Sequence, residues 1–247
     1  MRIACILFPG FTALDLLGPA TAWGMLPGAE FQTIWRDRGP VGLDMGLEMV
    51  ATHDFTDCWQ EPDVLLVPGG GSGVFRALED DRFLDGIGRL GAGARWITSV
   101  CTGSLLLGAA GLLQGYRAAC YWYARDQLAA FGAIPEEGRV VIDRNRASGG
   151  GVTAGIDFGL TMVGRWHGED VGRQVELLLE YAPDPPFGSG RPELADAATR
   201  AAAAAILRDE MPRQVVGRTA VRRGLPSGSH GEDGPGGSIR AGREPGD

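Results

Sequence analysis

The stretch ITSVCTGSLLLGAAGLL, residues 97–113, decides the fold. Its first half extends Arg95 and Trp96 into an apolar, β-branched run ending at Val100, the pattern of a buried strand. Its second half, Ser104–Leu113, is rich in Leu and Ala and has a helical composition. Cys101 stands at the junction, followed by the small residues Thr102, Gly103 and Ser104. A residue at such a turn is pushed out of the sheet surface towards the crevice at the carboxyl ends of the strands, where open α/β sheets bind ligands. The free N–H groups of a following helix favour negative charge, so a thiolate is expected at Cys101. A free cysteine is more often buried in a core, but the small residues here leave space around this one.

Working outward, short apolar runs alternate with helical patterns, which indicates a mainly parallel α/β sheet. Ile3–Phe8 reads as the first strand, stopped by Pro9-Gly10. Thr12 is placed to cap a helix that Pro19 kinks or divides. Phe31–Trp35 reads as a strand, and Val41–Phe55 as short strands. Val64–Val67 is a buried strand ending in Pro68-Gly69-Gly70-Gly71. Ala77–Leu90, Trp122–Phe131, Thr153–Trp166, Asp170–Tyr181 and Ala195–Arg208 read as helices, and Val140–Ile142 as a strand. The organisation expected is a catalytic domain over residues 1–190, a helical extension over 191–212, and a Gly-rich tail over 213–247. That tail has too few large apolar residues to offset ordering entropy and is expected to be disordered.

Composition excludes several classes. The net charge of −8 disfavours nucleic-acid and anionic-membrane partners, which need clustered Lys and Arg. No apolar stretch approaches the ~20 residues needed to span a bilayer. The start, MRIACILFPG, lacks a small-residue cleavage site and reads as a strand rather than a signal peptide. Cys5, Cys58, Cys101 and Cys120 are scattered, with no CxxC pair, as in a reduced cytoplasmic protein. With His53, His167 and His230 they make no metal-ligand spacing, so no metal is expected.

Two further features point to the crevice. The glycines of VLLVPGGGSG allow close backbone approach, so Gly70 N–H and Thr102 N–H are placed to stabilise an anionic intermediate, with Gly69 beside them. Asp15, in FPGFTALDLLGP, follows the first strand closely; burial would raise its pKa and make it a candidate acid. No histidine lies in a crevice segment, which argues against a Cys–His hydrolytic triad.

The segments FPGFTALDLLGP, DVLLVPGG, TSVCTGSLLLGAAGLLQG, SGGGVTAGIDFGL and LLEYAPDPPFGSG together resemble the isonitrile hydratase (cyclohexyl-isocyanide hydratase) branch of the ThiJ/PfpI superfamily, from residue 1 to about residue 190. The resemblance implies a flavodoxin-like, class I glutamine-amidotransferase-like sandwich with a nucleophile elbow. It implies Cys101 as nucleophile, Asp15 as its acidic neighbour, Thr102 as a further active-site residue and Gly70 as an oxyanion donor. It also implies a homodimer that works without a cofactor on a small-molecule isonitrile. Superfamily members often carry a histidine after the elbow helix; here AACYWYARD places Tyr121 near that position. The chemistry fits the residues: Asp15 protonates the isonitrile carbon, Cys101 adds to it, and water releases an N-substituted formamide, with the Thr102 hydroxyl orienting Asp15 or the water. Three alternatives stand beside this: a deglycase or glyoxalase-type enzyme acting on 2-oxoaldehydes, a thiol sensor, and the sensing half of an AraC-type regulator. The last is disfavoured because the residues after 190 lack two helix-turn-helix patterns.

Overall fold

Aliphatic runs bounded by Pro and Gly become the strands of a single six-stranded sheet. The computed structural model describes residues 1–225. Its strands are β1 (Arg2–Ile6), β2 (Glu30–Ile34), β3 (Gly39–Gly42), β4 (Glu48–Ala51), β5 (Val64–Val67), β6 (Trp96–Val100), β7 (Arg117–Ala118), β8 (Ile134–Pro135), β9 (Val140–Asp143) and β10 (Arg146–Gly149). Its helices are α1 (Ala13–Trp23), α2 (Ser72–Ala77), α3 (Asp81–Gly93), α4 (Gly103–Ala109), α5 (Ala154–His167), α6 (Glu169–Leu178), α7 (Ala197–Glu210) and α8 (Arg213–Arg222). A 3₁₀ helix covers Arg125–Phe131, where the sequence pattern predicts a longer helix from Trp122.

The sheet order is β2-β1-β5-β6-β10-β9, parallel throughout except for β9 against β10. All four residues of β5 are buried, as expected of a central parallel strand covered on both faces. The chain passes from β1 outward to β2 and then returns to place β5 on the other side of β1. Loops after β1 and β5 therefore diverge at a topological switch point, and the crevice opens there. Register sets the depth: Val67 lies opposite Ser99, and Val100 opposite Gly149. The Gly-rich turn after β5, Cys101 after β6 and the Gly150–Val152 turn after β10 thus emerge side by side.

Two expectations need correction. Pro19 does not divide α1, which runs on to Trp23. Pro19 lacks the N–H that would bond the Asp15 carbonyl, but it packs on glycines of α5; a Cβ at Gly159 would stand 2.8 Å from Pro19 Cα. The Trp23 indole then donates to the Gly159 carbonyl at 3.1 Å, in the buried interior, so the helix end is held from outside.

The second correction concerns the tail. Residues 213–222 are helical, with Val215, Val216, Thr219 and Ala220 buried. These four recur at i, i+1, i+4 and i+5 and so share one helix face. Thr219 Oγ1 donates to the Leu78 carbonyl, Arg222 pairs with Asp81, and Arg223 pairs with Asp81 and Asp85. A short apolar stripe and acids on α3 supply the ordering that bulk composition fails to suggest. The rest of the expected tail, from residue 226, and His230 lie outside the described residues. Among the described residues no helix is long and apolar enough to cross a membrane.

Candidate active site

Cys101 has φ 61°, a left-handed conformation that costs a side-chain-bearing residue roughly 1–2 kcal/mol. The junction is held by its neighbours. Cys101 N–H donates to the Gly149 carbonyl at 3.1 Å. A Cβ on Gly103 would stand 2.3 Å from the Val67 carbonyl oxygen, so only glycine lets α4 begin this close to β5. The side chain is 3% exposed, yet it lines a cavity of about 820 Å³. Around it are Thr12, Asp44, Gly70, Tyr121 and Val152.

Asp15 is fully buried directly beside Cys101. Its Oδ2 accepts the Gly69 N–H at 2.9 Å, while Oδ1 makes no hydrogen bond. Burial pushes its pKa up to about 7; the Gly69 N–H and the adjacent Cys101 thiol pull it down, and the charge of Asp44 raises it further. Asp44 arrives from the β3–β4 hairpin and accepts the Thr12 hydroxyl at 2.5 Å. Thr12 thus bonds Asp44 rather than capping α1 with its side chain.

The Cys101 thiol is also pushed well above its ordinary range, first by burial and then by the charges of Asp15 and Cys120. The Thr102 N–H and hydroxyl work in the other direction and are outweighed. The expectation that a helix N-terminus produces a resting thiolate is therefore corrected. The thiol and the Asp15 carboxyl are neighbours, and the carboxylate's charge raises the thiol while the thiol's hydrogen bond lowers the carboxyl.

Thr102 is fully buried, and its hydroxyl is engaged twice with Gly70: it accepts the Gly70 N–H at 3.0 Å and donates to the Gly70 carbonyl at 2.7 Å. This corrects two expectations. Gly70 N–H is not free as an oxyanion donor, and the Thr102 hydroxyl is turned to Gly70 rather than to Asp15 or water. Gly69 is confined on every side: a Cβ there would stand 2.6 Å from Thr102 N and 2.9 Å from Asp15 Oδ2. The two glycines hold Asp15 and Thr102 in place.

Neither described histidine reaches the cavity. His53 bonds Gln32 and Thr52, and His167 ends α5 at the surface. Tyr121 lines the cavity instead. Sequence reasoning missed Asp44, Arg76, Val152, Leu207, Glu210 and Met211, all cavity residues. For Asp44 and Arg76 no local signal exists. For the last three, the spacing Leu207, Glu210, Met211 on one helical face was available. Among the described residues, no group of three or more His, Cys, Asp or Glu side chains is placed to hold a metal ion.

Residues 1–165, which hold the parallel sheet, the strained cysteine and the buried acid of the first helix, match the DJ-1/PfpI family, and the chain belongs to it. More particularly, it is 45% identical over 228 residues to the isonitrile hydratase of Pseudomonas putida, a match covering 90% of this chain and 99% of that protein. The crystal structure of a ThiJ/PfpI family protein from Pseudomonas syringae superposes with a TM-score of 0.85 at 44% identity, covering 89% of this chain and 90% of the other. The HTH-type transcriptional regulator GbdR of Pseudomonas aeruginosa is 31% identical over 189 residues, covering 72% of this chain and 50% of the regulator.

Proposed function

We propose that the protein is an isonitrile hydratase, converting R–NC and water to an N-substituted formamide. The observation that carries this reading is the Asp15–Cys101 pair, a carboxyl with pKa about 7 beside a thiol at the cavity floor, with no described histidine in reach. The 45% identity to an isonitrile hydratase over nearly that protein's whole length supports it.

The steps balance with the pair alone. The pair carries one proton in its reactive state, divided between Asp15 and Cys101. With the proton on Asp15, the carboxylic acid protonates the isonitrile carbon and the Cys101 thiolate forms the C–S bond, giving a thioimidate R–N=CH–S. Asp15, now a carboxylate, takes a proton from the attacking water and passes it to nitrogen. The tetrahedral adduct R–NH–CH(OH)–S then collapses: the C–S bond breaks, the hydroxyl proton returns to Asp15, and R–NH–CHO leaves. Thr102, Gly69 and Gly70 are positioning residues, keeping the acid and the elbow in register. A cytoplasmic homodimer accompanies this reading.

The test is direct. Purified protein incubated with cyclohexyl isocyanide should yield N-cyclohexylformamide, followed by chromatography, and methylglyoxal run in parallel should not be consumed. Consumption of methylglyoxal alone would replace this reading with the 2-oxoaldehyde alternative.

A further inference from the structure

We infer that α7 is the wall that receives the hydrocarbon substituent of the substrate, with Leu207 as the residue that sets selectivity; this rests on the isonitrile reading above. The observation is a placement. The family match ends at residue 165, yet Ile206, Leu207, Glu210 and Met211 line the same cavity as Cys101. They recur at i, i+1, i+4 and i+5 and so present one face of a helix.

The composition of α7 explains why that face stands out. The helix is built from Ala, Arg, Asp, Glu and Thr, with Asp196 capping its start by accepting the Ala198 and Thr199 N–H groups at 2.9 Å. None of its residues is buried, so no packing of its own core fixes its position. Its two large aliphatics, Ile206 and Leu207, are adjacent and lie on the cavity side, Ile206 at the rim with 71% exposure. Exposed aliphatic surface beside an open cavity is the surface a hydrocarbon would cover.

The end of α7 is held from both directions. Glu210 Oε2 accepts the Ser72 N–H at 3.3 Å, at the end of the same turn that carries Gly69 and Gly70. Met211 is buried, and α8 behind it is docked on α3 through Arg222 and Arg223. The rest of the lining is mixed: Thr12, Asp44, Ser72 and Arg76 are polar, with Ser72 against Glu210, and Leu43 and Met45 come from the β3–β4 hairpin. An isonitrile has one reactive tip and one hydrocarbon body. With the tip at Cys101, the aliphatic part of this face, Ile206 and Leu207 beside Met211, suits the body, while Glu210 is engaged by Ser72. A contiguous match over 90% of the chain runs through α7 and α8 whichever end it starts from, so the isonitrile hydratase relative shares this segment.

The experiment compares the parent chain with Leu207→Ala and Leu207→Trp, each confirmed folded by its thermal melt. The readout is the ratio of kcat/KM for cyclohexyl isocyanide to that for methyl isocyanide. Removing the Leu207 contact should lower the ratio about tenfold, the usual effect of a few methylenes in an apolar pocket; filling the space in Leu207→Trp should lower it at least as far. A second readout needs no hydratase activity: the rate of Cys101 alkylation by N-cyclohexyl iodoacetamide relative to iodoacetamide, followed by peptide mass spectrometry, should fall in Leu207→Trp. Ratios within twofold of the parent in both readouts overturn the inference. A lowered alkylation ratio in a protein whose parent hydrates no isonitrile upholds the α7 wall and overturns the hydratase reading instead.

Discussion

The Thr102 hydroxyl closes a two-way clasp on Gly70, accepting its N–H at 3.0 Å and donating to its carbonyl at 2.7 Å. The preceding residue, Gly69, gives its own N–H to Asp15 and accepts from Thr12 N–H through its carbonyl. The turn after β5 therefore joins the elbow on one side to α1 on the other. That turn ties the elbow that carries the thiol to the helix that carries the acid.

Replacing Thr102 by Val keeps the shape and removes the clasp. Gly70 N–H and C=O would then be buried without partners, at about 1–3 kcal/mol each. The expected outcome is a loss of about 2–6 kcal/mol in urea unfolding and a fall in kcat of more than tenfold. The acidic limb of the pH profile should stay near 7 because no Thr102 contact sets the Asp15 pKa, and Cys101 should be pushed further up by loss of the hydroxyl. Thr102→Ser, which keeps the hydroxyl, should restore most of both. An unchanged unfolding midpoint for Thr102→Val would show that the clasp contributes nothing.

The pH dependence of the reaction follows from the shared proton. Below about pH 7 both Asp15 and Cys101 hold protons, and no thiolate is available. Above the raised pKa of Cys101 neither group holds one, and the isonitrile carbon has no acid. The singly protonated pair between these limits is active. kcat/KM should rise about tenfold per pH unit up to about 7, then hold flat beyond pH 9. In Asp15→Asn the residual rate should lose the acidic limb, and Cys101 should alkylate faster at pH 8 because the neighbouring negative charge is gone. Activity that instead peaks near pH 5 would place the essential proton elsewhere.

The same carboxyl has a stability signature. Asp15 has a folded-state pKa of about 7 against an ordinary 3.8. A folded-state pKa above the unfolded one means that the native state binds protons more tightly, so stability is full below pH 4 and declines as pH rises through 7. A shift of this size corresponds to roughly 4 kcal/mol at pH 8. Asp15→Asn should therefore melt above the parent at pH 8 and level with it at pH 4. A variant that melts lower at pH 8 would show that the Gly69 N–H outweighs burial.

These relationships mark what sequence could and could not show. The elbow was legible because a buried strand, a cysteine and three small residues leave few alternatives for residues 95–104. The meeting of Asp15 with Gly69 was partly legible, since both follow strands in a parallel pattern; but apolar runs do not state that β1 and β5 are neighbours, and that adjacency makes the 2.9 Å bond. The direction of the Cys101 shift was illegible, because a helix N-terminus can be read from residues 102–104 while the burial that opposes it arises only from packing. The partner of the Gly70 N–H was hidden for a related reason: a hydroxyl one residue past the elbow takes that N–H. In the C-terminal segment, the Gly and Arg content around residues 213–224 hid four small buried residues of α8, and the alanines of α7 hid its cavity face.

The strain at Cys101 gives a prediction that separates catalysis from stability. With φ at 61°, any β-carbon at this position is in the disfavoured left-handed region, where glycine alone is at ease. Both Cys101→Ala and Cys101→Gly should reduce formamide production to background and form no adduct of thioimidate mass. They should differ in unfolding. Alanine is ordinarily favoured over glycine through the entropy of the unfolded chain, but at positive φ the order reverses. Cys101→Gly should therefore be the more stable of the two, by about 1 kcal/mol in urea unfolding. The reverse order would mean that the elbow relaxes when the thiol is removed. In that case the thiol's own contacts with Asp15 and Thr102, rather than the turn imposed by β6 and Gly103, hold the residue in its strained conformation.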